Sequence, residues 1–268
     1  MKTKLSLFFL FFITSFMFSQ DVEYALKGDI PYYSENTDDY QKQMSLVDIY
    51  YPKTEEKVPV IIWFHGGGLT SGSKQIPEAL KNKGLCIVGV GYRLSPRVKA
   101  ETSVRDAAAS VAWVVRNIEK YNGDPEKIFI SGHSAGGYLA LMTVMNKSLL
   151  AEHDLDPEIF AGLIPFSGHT ITHLTIRKEN GIPEKQPIID EWAPLYYVRK
   201  DTPPILLITG DREKEMLGRY EENAYFYRMM KVVGQDDIEL YEMDGYGHLM
   251  SYPGFPLLVD FVKERTKK

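Results

Sequence analysis

Ser134 stands between Gly132 and Gly136 in the run Gly-His-Ser-Ala-Gly, a G-x-S-x-G pattern. The residues before it, Lys127 to Ser131, read as a short apolar strand, and Gly137 to Met142 read as a helix. A serine on such a sharp strand-to-helix turn has its hydroxyl pushed out of the sheet, where a base can reach it. The chemistry this permits is nucleophilic attack through a covalent intermediate. Three fixed positions are a weak pattern alone, so the partner groups must decide.

Those partners are present in a suitable order. His65-Gly66-Gly67-Gly68 directly follows an apolar strand, Val58 to Phe64. An HGGG-type loop there can offer backbone N–H groups to the negative oxygen of a tetrahedral intermediate; losing one such donor typically costs about 3–4 kcal/mol. His248, in the glycine-rich loop Asp244 to Leu249, is the candidate base. The acid that orients it should lie between serine and histidine in the chain. Gly210-Asp211-Arg212-Glu213 offers two carboxylates at the end of the strand Ile205 to Thr209, while Glu215, Glu221 and Glu222 read as solvated helix residues. His169 and His173 have a four-residue spacing but no H-E-x-x-H pattern, so no metal is expected. His169 follows the strand Ala161 to Phe166 closely enough to touch a substrate. Cys86, the only cysteine, lies in an apolar run and reads as a buried, inert thiol.

The elements that must position these groups alternate. Ser45 to Tyr51 reads as a half-buried strand, and Val58 to Phe64 and Leu85 to Tyr92 are continuous apolar runs of the kind covered on both faces. Val104, Ala108, Val111, Val115 and Ile118 make one buried stripe on a helix. Tyr220 to Val233 and Phe255 to Glu264 read as helices flanking a strand at Ile238 to Met243. The expected class is α/β, with a mainly parallel sheet and helices on both faces, in a single domain over 20–268. Residues 21–44 read as an N-terminal strand or arm. Residues 168–202 are loop-like and could form a partial lid.

Lys2, Lys4 and the apolar stretch Leu5 to Phe18 read as a signal peptide over 1–19 rather than a membrane anchor. A secreted or periplasmic location follows. Removing the leader takes the net charge from −5 to −7, which argues against a nucleic-acid partner.

With these pieces together, the chain resembles the α/β-hydrolase superfamily, and within it the hormone-sensitive-lipase-like and feruloyl- or acetyl-esterase-like carboxylesterases. The resemblance runs from about Ser45 to the C-terminus. Its carriers are HGGG at 65–68, Gly91 to Pro96, Asn122 to Pro125, GHSAGG at 132–137, Pro203-Pro204 and Gly247-His248. It implies oxyanion donors at the amides of Gly67, Gly68 and Ala135, and structural roles for Tyr92-Arg93, Asp106 and Asp124. It places the acid three positions after the glycine ending its strand, at Glu213, with Asp211 as the alternative. It implies a serine carboxylesterase, without a cofactor, acting on short-chain acyl or acetyl and feruloyl esters, either small molecules or polysaccharide-linked. Trp63, Trp192, Tyr196 and Tyr197 could supply surfaces for sugars. The same scaffold also carries amidases, aryl formamidases and peptidases. A different class, an inactive binding protein on this fold, usually lacks the serine, the histidine or the glycines that this chain keeps.

Overall fold

The computed structural model describes residues 22–34, 38–216 and 218–267. The expected leader at 1–19 lies outside the described residues. Among the described residues, no helix is long and apolar enough to cross a membrane. The apolar runs form one eight-stranded sheet. Its strands are β1 (Tyr24–Pro31), β2 (Leu46–Pro52), β3 (Val58–Phe64), β4 (Cys86–Val90), β5 (Gly123–His133), β6 (Gly162–Phe166), β7 (Ile205–Gly210) and β8 (Ile238–Met243). Their spatial order is β1-β2-β4-β3-β5-β6-β7-β8. β1 pairs antiparallel with β2, and β2 antiparallel with β4; every pairing from β4 onward is parallel.

Alternation along the central strands explains the layers. Val60, Ile62 and Phe64 of β3 point into one core with α2 (Ala100–Asn117), α3 (Ala135–Met145) and α6 (Arg219–Val232). Ile61 and Trp63 point into the other, against α7 (Ser251–Thr266). Continuous hydrophobicity is what a strand covered on both faces requires. The fold is therefore α/β, with helices on both faces of a mainly parallel sheet. Trp63, a candidate sugar surface by sequence, is instead only 2% exposed and packs against Phe166 and Phe255. Burying the indole between two sheet-facing phenyl rings leaves it no face for a ligand. Cys86 is buried in the sheet, and burial pushes its thiol well above the usual range.

Candidate active site

The groups singled out in the sequence come together at the carboxyl ends of the parallel strands, where open α/β sheets build their sites. The chain leaves β5 through Ser134, which has φ 56° and ψ −117°, and enters α3 at Ala135. A positive φ on a serine is a strained conformation held by its surroundings. Two features hold it. Ser134 N–H donates to the Phe166 carbonyl at the end of β6, 2.8 Å away. Gly136 packs so closely on β3 that any Cβ would collide with the Phe64 carbonyl oxygen. The turn projects the Ser134 hydroxyl to 2.8 Å from His248 Nε2.

His248 lies in the loop after β8. Its Nδ1 is 2.6 Å from a carboxylate oxygen, and that carboxylate belongs to Glu215, not to Glu213 or Asp211. The physical reason is the path of the chain after β7. The amides of Lys214 and Glu215 both donate to the Asp211 carbonyl, so the segment curls through one turn and brings its fifth residue past Gly210 beneath the histidine. The Glu215 side chain is 1% exposed. Glu213 is on the outside of the turn and exposed. Asp211 serves the backbone: its carboxylate accepts from the amides of Glu213 and Gly245, each at 2.9 Å. That stitches the acid's turn to the histidine's loop. Glu222, expected to be solvated, is also buried, and accepts from Arg219 and from the amides of Thr170 and Ile171.

Burial alone would raise the Glu215 carboxyl. Hydrogen bonds from His248, Ser167 and the Met216 amide outweigh burial and hold it down at about 2. With Glu215 ionised, Nδ1 of His248 carries the proton toward it, and Nε2 is left to accept from Ser134. Ser167 was not singled out in the sequence. Its backbone sits at φ 47°, just past β6, and its hydroxyl donates to the second Glu215 oxygen at 2.6 Å. His133, inside the elbow, has a function too: its Nε2–H donates to the His248 carbonyl at 2.7 Å. Burial lowers its pKa to about 4, so it stays neutral and keeps that donor geometry.

The HGGG loop runs beside the serine. A Cβ on Gly66 would approach the Ser134 Cβ to 3.5 Å. Gly67 has φ 115° and a Cβ there would meet the Ser71 carbonyl, so only glycine fits. Ala135 is the first residue of α3, where an amide has no partner within the helix. The His65 ring stacks on Tyr92 at 4.2 Å, and the Tyr92 hydroxyl donates to the His65 carbonyl at 2.7 Å. Arg93 makes a bidentate pair with the fully buried Asp106, which anchors the chain after β4 to α2.

Residues 168–202 are docked rather than loose. They contain α5 (Leu174–Glu179). The Thr175 hydroxyl donates to the Gly68 carbonyl at 2.6 Å, and Glu179 accepts from Ser95 and from the first amide of α2. His169 is 6% exposed, with Nδ1 2.8 Å from Glu222 and Nε2 2.7 Å from Arg219. Both ring nitrogens are taken by protein groups, which leaves neither for a substrate hydrogen bond. His173 is buried against Tyr138 and accepts from the Thr175 amide. Among the described residues, no cluster of three or more His, Cys, Asp or Glu could hold a metal.

A strained serine elbow, a histidine and a buried carboxylate at the carboxyl edge of this sheet define the α/β-hydrolase class. Comparison with known proteins agrees. The BD-FAE family model matches residues 47–161. The Esterase LipC of Mycobacterium tuberculosis is 24% identical over 80% of this chain and 57% of its own length. The Carboxylesterase NlhH of the same organism is 30% identical over 35% of this chain and 31% of its own. This chain thus spans less than two thirds of either relative. Among solved structures, a truncated carbohydrate esterase from gut microbiota superposes with TM-score 0.74 at 19% identity, covering 93% of this chain and 99% of that one. The esterase Est2 of the planctomycete Thermogutta terrifontis gives 0.67 at 25% identity, covering 82% and 88%. The chain has the α/β-hydrolase fold and is similar to these esterases.

Proposed function

We propose that this protein is a serine carboxylesterase whose triad is Ser134, His248 and Glu215. The observation that carries the reading is the continuous chain of contacts Ser134–His248–Glu215, at 2.8 and 2.6 Å, beside the HGGG loop. Ser134 Oγ attacks the ester carbonyl as His248 Nε2 takes its proton. His248 then protonates the departing alcohol, and the acyl group remains on Ser134. Water, deprotonated by His248, releases the acid and restores the hydroxyl. Glu215 holds the productive tautomer and stabilises the imidazolium. The amides of Gly67, Gly68 and Ala135 face the oxyanion.

The substrate reading is an acetyl, feruloyl or other short acyl ester, on a carbohydrate or a small alcohol, met outside the cytoplasm after removal of residues 1–19. The apolar leader and the family resemblance support it. Ser134→Ala should abolish turnover of short 4-nitrophenyl esters and labelling by a fluorophosphonate; undiminished turnover in that variant overturns the proposal. A panel of acetylated xylan, feruloyl esters, longer acyl esters and an aminoacyl amide ranks the substrates. A preference for the amide over every ester would refute the carboxylesterase reading.

A further inference from the structure

A cavity of about 610 Å³ is lined by residues that neighbour the candidate site's groups along the chain. Its walls include Met216, which follows Glu215; His169, two residues past Ser167; and Leu174, which precedes the Thr175 that holds Gly68. The volume suits a small-molecule moiety.

The cavity's charges do not balance in its buried wall. Arg177 and Arg219 are 4% and 2% exposed, and Glu222 is the one buried carboxylate lining the cavity with them. Arg219 uses Glu222 through Nε, His169 through Nη2 and the Ser167 carbonyl through Nη1. Glu222 spends its remaining capacity on His169 and two backbone amides. Arg177 donates from Nη1 to the Gln186 carbonyl, but its Nε is buried without a partner. Among the described residues it forms no ion pair. His169 and His173 cannot compensate, since a histidine is either neutral or cationic, and burial holds both below their ordinary pKa and toward the neutral form. Glu184, Lys185 and Glu221 also line the cavity but are exposed at its rim, where water screens them. A buried guanidinium without a counter-ion is costly, and a carboxylate is its natural bidentate partner.

Building on the esterase reading above, we propose that Arg177 forms a subsite for a carboxylate carried by the ester substrate, so that the enzyme prefers anionic esters. The carboxylate sits on either the acyl part or the alcohol part, and paired substrates distinguish the two. The acyl arm compares mono-4-nitrophenyl glutarate with 4-nitrophenyl butyrate. The alcohol arm compares 4-acetoxybenzoate with its methyl ester.

In one arm, wild-type kcat/KM should favour the anionic ester by about tenfold or more, the scale of one good charge-assisted contact. Arg177→Gln should bring that ratio close to one, chiefly through KM, and Arg177→Lys should keep part of it. Ratios near one in both wild-type arms overturn the subsite and leave the esterase reading intact. That comparison needs no variant, so a misfolded Arg177→Gln does not shield the proposal. A preference that survives Arg177→Gln, or collapses instead in Lys185→Ala, also overturns the assignment. No Ser134-dependent turnover of any ester overturns both readings together.

Discussion

Glu215 is where a single residue changes the chemical account. Its carboxylate meets His248 Nδ1, and its second oxygen is held by Ser167. Glu215→Gln should therefore lower kcat for 4-nitrophenyl acetate by about 10³-fold or more, as loss of the orienting carboxylate does in such triads. Glu213→Gln should stay within about twofold, because its side chain is exposed and away from the histidine. A larger loss in Glu213→Gln than in Glu215→Gln would refute the geometric assignment. Ser167→Ala removes one hydrogen bond to a charged group, about 1–2 kcal/mol, so kcat should fall by roughly five- to thirtyfold with KM little changed. An unchanged kcat would show that the hydroxyl does not position the acid. The serine and histidine were legible because each is tied to a glycine pattern that has a mechanical cause. The acid was not. Asp211-Arg212-Glu213-Lys214-Glu215 offers a carboxylate at every second position, and the selection is made by a turn closed on the Asp211 carbonyl. That turn is a backbone event with no glycine or proline to announce it. Ser167 carries still less signal, since a serine at a strand end is common and its positive φ shows only in the fold.

At the scale of elements, the site depends on how closely α3 can approach β3. Gly136 lies at that contact, on the first turn of the helix. Gly136→Ala should force the helix off the sheet and cost about 3 kcal/mol, lowering Tm by roughly 6–12 °C. Calorimetry reads the change directly, and a Tm within a degree of wild type would refute the steric argument. The central strands were readable because a short, unbroken apolar run between turn residues suits a strand covered on both faces. Accordingly β3, β7 and β8 fall close to their expected bounds. The segment 168–202 was not readable in this way, because α5 is only six residues long and its hold comes from distant partners. Glu179 reaches Ser95 and the first amide of α2, and Thr175 reaches Gly68. No local periodicity encodes such contacts. The polar N-terminal region likewise splits into β1 and α1 (Asp39–Met44), with β1 placed at the sheet edge by its pairing with β2 rather than by any apolar run of its own.

For the whole molecule, the buried histidines set how the fold responds to acid. Burial lowers His65 and His133 to about 4 and lowers His169 and His173 as well. His65 and His133 stay neutral in the folded chain at pH 6, and His169 and His173 are shifted in the same direction, whereas the unfolded chain protonates these rings near the ordinary value of 6.5. The unfolded state thus binds more protons below pH 6.5, and stability must fall as the pH falls through that value. The loss continues until the folded-state pKa is reached, near 4 for His65 and His133. A histidine lowered from 6.5 to about 4 contributes on the order of 3 kcal/mol across that window. Glu215, held down at about 2, acts in the same direction but lower, since its contribution is complete above the usual carboxylate range and disappears toward pH 2. The urea midpoint should therefore decline steadily from pH 7 to pH 4.5, with proton uptake on unfolding that peaks between pH 4.5 and 6. His65→Gln and His133→Gln, compared each at pH 7 and pH 5, should lose less stability on acidification than wild type, whatever each costs at pH 7. A midpoint that is flat from pH 7 to pH 5, or an acid slope unchanged in both variants, would mean that these rings are not held neutral by the fold.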